Sequence, residues 1–190
     1  MDGWLELTSD NGPTSSACST NMNEIDVFRQ GYHYHPNPAA RLYLDPPYDV
    51  YTHLNVTLGD MPSGQGSHIA LFHFRGEYVY AQTLFSRKKT DGKYYVSARH
   101  RDDGTVQTGD EVEVFTGNIW LRLSWDESGN FKHYYALSEP TVELDWTELA
   151  VPGSPLVSTS NQGQVGFFAS HCGVLPAFVA KFEYFRFWAP

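Results

Sequence analysis

The sequence predicts an all-β protein of two packed antiparallel sheets, and three observations carry the prediction. Apolar and polar residues alternate at the two-residue period of a half-buried strand, most cleanly over residues 48–58 and 119–125. No stretch of ten or more residues shows the 3.6-residue period of an amphipathic helix. Short strand-like runs recur at near-regular spacing between turns rich in Gly, Pro, Asn and Asp.

In chain order, residues 4–8 read as a first strand and 9–20 as a loop rich in Ser, Asn, Gly and Pro. Residues 23–34 alternate poorly and end in Gly31-Tyr32-His33-Tyr34-His35. Pro36, Pro38, Pro46 and Pro47 then mark a connection that cannot be a central strand, because proline has no N–H to give to a ladder. In 48–58, Tyr48, Val50, Thr52, Leu54, Val56 and Leu58 share one face, and Asp49, Tyr51, His53, Asn55 and Thr57 share the other. Strands at 67–75, 77–86 and 94–101 follow one another through turns at Gly76 and 87–92, which predicts a meander. Runs at 111–115, 119–125, 132–137, 165–169 and 179–188 bring the count to about eleven. Asp126-Glu127-Ser128-Gly129-Asn130 has turn chemistry, so the strands flanking it form a hairpin.

A chain of 190 residues, 41 % hydrophobic and 15 % aromatic, has material for one domain with a sizeable core, spanning 1–190. Its 12 Tyr, 12 Phe and 5 Trp exceed what such a core needs, so some rings are expected to line a ligand groove. The formal charge of −9 disfavours nucleic acid and anionic membrane as partners. No apolar run approaches a membrane span, and the start M-D-G-W-L-E-L has no signal-peptide pattern. With Met1 as the native start the protein is expected in the cytoplasm; with a removed leader it would be secreted. Cys18 and Cys172 lack C-x-x-C spacing and suit buried free thiols, or one bridge in an oxidising compartment. Asn55-Val56-Thr57 matches a glycosylation acceptor but falls inside a strand-like run.

The order of elements in the last third is distinctive. A Trp-bearing strand I-W-L-R-L-S-W leads through D-E-S-G-N to H-Y-Y-A-L, then to D-W-T-E-L and G-Q-V-G-F-F-A. This order resembles the concanavalin A-like (laminin G-like) sandwich, as found in accessory domains of β-xylosidases and in related stand-alone proteins. The resemblance rests on motifs over 119–188 and on strand rhythm before that. It implies a single-domain jelly roll of two antiparallel sheets, with ligands placed on the concave sheet.

The first candidate site is the polar face of the middle strands: Tyr51, His53, His73, Arg75, Tyr80, Gln82, Tyr95 and Arg99. If these strands are neighbours, rings would stack on the apolar face of a pyranose while the amide, imidazoles and guanidiniums meet its hydroxyls. Two functions follow. One is binding of a carbohydrate or similar polar small molecule without catalysis. The other is an enzyme using the same groove, a polysaccharide lyase or glycosidase or a small-molecule isomerase or cyclase. In the isomerase or cyclase, His53, His73 and Tyr80 would exchange protons while Arg75, Arg99 and Gln82 hold an oxyanion or carboxylate. The bland alternative is an ordinary solvated sheet face.

Two further patterns compete. Glu143-Leu144-Asp145-Trp146-Thr147-Glu148 matches the E-x-D-x-x-E of laminarinase-type retaining glucanases, in which the two Glu resemble nucleophile and proton donor. Only 42 residues follow Glu148, too few for the strands such enzymes carry after the motif, so coincidence is expected. His33 and His35 have the spacing of two metal ligands, but Pro36-Asn37-Pro38 follows where a third ligand would be needed, and no metal or cofactor is expected from them. Asp102-Asp103-Gly104 and Asp126-Glu127 offer oxygen ligands that suit a structural calcium ion, and ordinary turns use the same residues. His171 and Cys172 are adjacent and would point to opposite faces of a strand, a poor base and nucleophile pair.

Overall fold

The computed structural model describes residues 5–8, 10–11, 40–44, 47–62, 67–76, 79–88, 90–102, 105–152, 163–171 and 178–188. Its strands are β1 (Leu5–Thr8), β2 (Asp10–Asn11), β3 (Ala40–Leu44), β4 (Tyr48–Val56), β5 (Ser67–Gly76), β6 (Val79–Arg87) and β7 (Tyr94–Asp102). They continue with β8 (Thr105–Val114), β9 (Asn118–Trp125), β10 (Phe131–Ala136), β11 (Thr147–Glu148), β12 (Gly163–His171) and β13 (Val179–Trp188). Helix among the described residues is confined to two 3-10 turns, Leu58–Asp60 and Glu143–Asp145. The all-β expectation holds.

The strands form two sheets. The first runs β1-β13-β4-β9-β10-β11, and the second runs β2-β12-β5-β6-β7-β8 with β3 also on β12. Neighbours are antiparallel except for the short β2–β12 pairing, the pattern of a jelly-roll sandwich. The predicted meander is β5 to β8, each strand paired with the next.

The faces that meet between the sheets follow the alternation of the sequence. From the first sheet come Tyr48, Val50, Leu54 and Val56 of β4 and Ile119, Leu121, Leu123 and Trp125 of β9, all buried. From the second come Ile69 and Leu71, Ala81 and Phe85, Val96 and Ala98, and Val165, Phe167 and Ala169. Burial of this apolar area, at roughly 25 cal/mol per Å², is what holds the sheets face to face. The β9–β10 hairpin closes as the turn chemistry predicts: Asp126 accepts the backbone N–H groups of Ser128 and Asn130, and Gly129 takes φ +83. Across it, Trp125 stacks on Phe131 with ring centroids 5.1 Å apart. After β11 the chain crosses between the sheets, Leu149 donating to the His133 carbonyl and Ala150 accepting from Asp110 of β8.

Strands β3 and β8 differ from the sequence reading, and β2 falls in the stretch read as a loop. The proline-flanked connection contains β3, an edge strand that among the described residues pairs with β12 alone, which its prolines permit. Strand β8 begins at Thr105 rather than 111, because a register shift opposite Ser97–Arg99 interrupts its alternation. Asn55 lies in the middle of the first sheet, between Lys181 and Asn118. Residues 23–34, His33, His35, Cys18, Cys172 and Asp103-Gly104 lie outside the described residues.

Candidate functional site: the outer face of the second sheet

The register of the meander builds this face row by row. Phe72 pairs with Gln82, Gln82 with Arg99 and Arg99 with Thr108. Tyr80 pairs with Arg101 in the row on one side, and Leu84 with Ser97 in the row on the other. Their chain neighbours Leu71, Ala81 and Ala98 belong to the core between the sheets, so by strand alternation this set points away from it. A face directed away from the interior of a sandwich is normally wet. Here Phe72, Tyr80, Gln82, Leu84 and Ser97 are each at most 1 % exposed, and Arg101 is 7 % exposed. The face is therefore enclosed.

Gln82 is the centre of the enclosure. Both its side-chain Oε1 and Nε2 are buried and make no hydrogen bond among the described residues, and the same is true of Ser97 Oγ in the neighbouring row. A buried amide without partners costs about 1–3 kcal/mol. His68, from the same alternate set of β5, has its imidazole pushed down to about 3, by burial first and the Arg99 charge second. It is neutral at physiological pH and offers one donor and one acceptor. The face thus combines a phenyl and a phenol ring, an amide, a hydroxyl, a neutral imidazole and two guanidiniums. These are the ring and hydrogen-bonding groups that a small, polar ligand would need.

The eight residues predicted from the sequence to share one face are divided among three places. Tyr80, Gln82, Tyr95 and Arg99 do lie on this face, Tyr95 at its rim, where its hydroxyl donates to Asp91 at 2.8 Å and its ring lies under Lys88. Tyr51 and His53 lie on the outer face of the first sheet, because β4 pairs with β9 and β13 rather than with the meander. His53 stacks on Trp120 with centroids 4.0 Å apart, its Nδ1 at 2.5 Å from Glu183 and its Nε2 at 2.7 Å from Asn118. His73 is in the interior, where its Nδ1 bonds the Tyr48 hydroxyl, whose pKa burial raises. The reason is parity: His73 has the alternation of Ile69 and Leu71, and β5 is buried on both faces, so its sequence does not reveal which set turns inward. The Arg75 side chain lies outside the described residues. The three proton-transfer candidates His53, His73 and Tyr80 therefore do not converge.

Sequence reasoning misses Phe72, Ser97, Arg101 and His68 as members of this face. Ser97 alternates with Tyr95 and Arg99 and is legible by the same rule; Phe72 and His68 need the parity of β5.

The E-x-D-x-x-E residues have structural occupations. Asp145 accepts from the backbone N–H groups of Thr141 and Val142 and from the Thr141 hydroxyl, bonds that hold its pKa low. Glu143 takes both hydrogen bonds of Arg122 Nη1, and the exposed Glu148 pairs with Tyr134 at the sheet edge. Asp126 is engaged in its own turn. Among the described residues no group of three or more His, Cys, Asp or Glu is placed to hold a metal ion.

No protein-family model and no curated protein matches the chain. Solved structures do. The GH43 protein BlXynB of Bacillus licheniformis superposes with a TM-score of 0.68 at 14 % identity, over 98 % of this chain and 33 % of that one. A bifunctional GH43-CE protein of Bacteroides eggerthii gives 0.65 at 17 % identity, over 100 % of this chain and 21 % of that one. The CBM2 module of the evolved Dit of Lactobacillus casei BL23 phage J-1 gives 0.52 at 9 %, over 78 % and 68 %. The chain thus spans a third or less of these two GH43 proteins. Likeness at these identities speaks for the fold: the chain is a concanavalin A-like β-sandwich.

Proposed function

We propose that this protein binds a small carbohydrate or a similarly polar small molecule on the outer face of its second sheet. The observation that carries the reading is Gln82, a fully buried amide whose two polar atoms have no hydrogen-bond partner among the described residues, between Phe72 and Arg99. A bound molecule that met both atoms would offset the cost of burying them unpaired. The rings of Phe72 and Tyr80 supply apolar area, and Ser97 and the neutral His68 supply hydrogen-bond partners for hydroxyls. One structure of the same fold comes from a GH43 glycoside hydrolase engineered at its active site to display both endo-xylanase and exo-arabinofuranosidase activity, so xylose- and arabinose-type sugars are the first probes.

The test is calorimetric titration of xylose, arabinose and xylotriose into the parent and into Gln82→Leu. The variant should bind at least tenfold more weakly. Without sugar it should melt at the parent temperature or above, because leucine removes the unsatisfied amide while filling its volume. Equal affinity in a folded variant would remove the basis of the reading.

A further inference from the structure

The outer face of the first sheet carries a separate pocket. A row of five residues crosses five strands: Arg186, Tyr51, Arg122, Tyr134 and Glu148, on β13, β4, β9, β10 and β11. Above it the loop 140–146 folds back and sets Trp146 edge-on to Tyr51, centroids 5.9 Å apart. Between loop and sheet lies a cavity of about 270 Å³, lined by Asp49, Tyr51, Arg122, Thr141, Glu143 and Trp146, with Pro140 and Val142. Its far wall is fixed, since Asp145 ties down Thr141 and Val142 through three hydrogen bonds.

The chemistry of the lining selects among ligands. Arg122 already occupies the cation seat, 4.9 Å from the Tyr134 ring and 5.6 Å from the Trp146 ring. Four of its five N–H donors are committed: Nε and one Nη2–H to Asp49, each at 3.1 Å, and Nη1 to both oxygens of Glu143, at 2.8 and 2.7 Å. Two carboxylates against one guanidinium leave the lining with a net negative charge, which opposes anions. Each carboxylate oxygen still has lone-pair capacity, and Glu143 is 69 % exposed, so the free hydrogen-bonding capacity is mostly acceptor. A ligand that fits presents several O–H donors, one apolar face for Tyr51 or Trp146, no charge, and the bulk of about one six-membered ring.

We infer that this pocket is a second ligand site, on the opposite side of the sandwich from Gln82, and that it takes a single neutral pyranose unit, free or at the end of a glycan. It stands independently of the proposed function. Its test is a heteronuclear NMR titration following the Trp146 indole N–H, with xylose and glucose as free sugars, xylotriose and cellotriose as chain ends, and choline as a cationic competitor. The neutral sugars should shift the Trp146 resonance saturably in the parent and in Gln82→Leu. Trp146→Ala should lose the remaining Tyr51 and Thr141 shifts, with affinity down at least tenfold. Glu143→Ala, at an exposed position that keeps the fold, should weaken binding threefold or more and decides the matter if Trp146→Ala fails to fold. Equal affinity for free sugar and trisaccharide assigns a monosaccharide pocket; tighter trisaccharide binding assigns a chain end. No saturable shift at Trp146 with any sugar, shifts that require Gln82, or preference for choline would each overturn the inference.

Discussion

His100 and His133 meet between the two sheets, Nε2 to Nε2, at 2.6 Å. One nitrogen must donate and the other accept, and the surroundings decide which. Thr83 Oγ1 donates to the Arg122 carbonyl at 3.1 Å, so it accepts from His133 Nδ1 at 2.9 Å. His133 Nε2 is then the acceptor and His100 Nε2 the donor, which leaves His100 Nδ1 deprotonated and, among the described residues, without a hydrogen bond. Both imidazoles are neutral in this chain. Burial pushes His100 down to about 4, and burial followed by its proximity to His100 lowers His133 well below the usual value.

Stability should therefore depend on pH in the acid range. With folded pKa values below the unfolded value near 6.5, the unfolded chain binds more protons, so stability is full above about pH 6.5 and falls as pH drops toward 4. His100 alone accounts for about 2 to 3 kcal/mol between pH 6.5 and 4.5. Urea unfolding at pH 7.5, 6.5, 5.5 and 4.5 measures this directly. A midpoint constant down to pH 4.5 would contradict the neutral histidine chain.

Thr83→Val should destabilise by about 1 to 3 kcal/mol at neutral pH, because it keeps the shape but strands the His133 Nδ1–H and the Arg122 carbonyl. The readout is the urea midpoint, with Thr83→Ser retaining most of the parent stability. Equal loss in both variants would assign the effect to packing instead.

None of this histidine chain is legible in the sequence, although the architecture around it is. Alternation in β4 and β9 identifies the inward set because their outward residues, such as Asp49, Asn55 and Arg122, are polar. In β5, Phe72 and His73 are both buried on opposite faces, and a period-2 argument has no polar side to anchor it. The same limit hides part of the site. Tyr80, Gln82 and Arg99 are legible because one rule places them on alternate positions of two adjacent strands. Tyr51 and His53 fall into the same group because sequence order does not reveal that the chain changes sheets between β4 and β5. The role of Trp146 as one wall of a pocket depends on how the loop before it folds back over Arg122, which no periodicity reports.

Arg122 should matter much more than either carboxylate it holds. Its side chain is 12 % exposed, bonded to Asp49 and Glu143 and flanked by Tyr134 and Trp146. Arg122→Met should cost about 2 to 4 kcal/mol, since it leaves the partly buried Asp49 carboxylate without its partner. Glu143→Gln should cost less than about 1 kcal/mol, as for other exposed ion pairs. Denaturant midpoints of the two variants test the ranking, and a Glu143→Gln loss equal to that of Arg122→Met would refute it.

Gly117 is fixed by space. A Cβ there would lie 2.0 Å from the Val56 carbonyl oxygen and 2.9 Å from Val56 Cγ1, at the point where the Val56 N–H donates to the Gly117 carbonyl and locks the end of β4 to the start of β9. These are the central strands of the first sheet, so the clash cannot be relieved without moving a pairing that runs from Tyr48 to Asn55. Gly117→Ala should cost about 2 to 4 kcal/mol, the scale of overpacking against rigid backbone. Gly59 is the control: it is exposed in the Leu58–Asp60 turn, and a methyl group placed on its Cα would meet no described atom within 4 Å. Gly59→Ala should be neutral or stabilise by up to about 1 kcal/mol through the unfolded chain. Thermal melts of the two single variants separate the effects, and equal melting temperatures would mean that the β4–β9 contact yields more readily than its geometry implies.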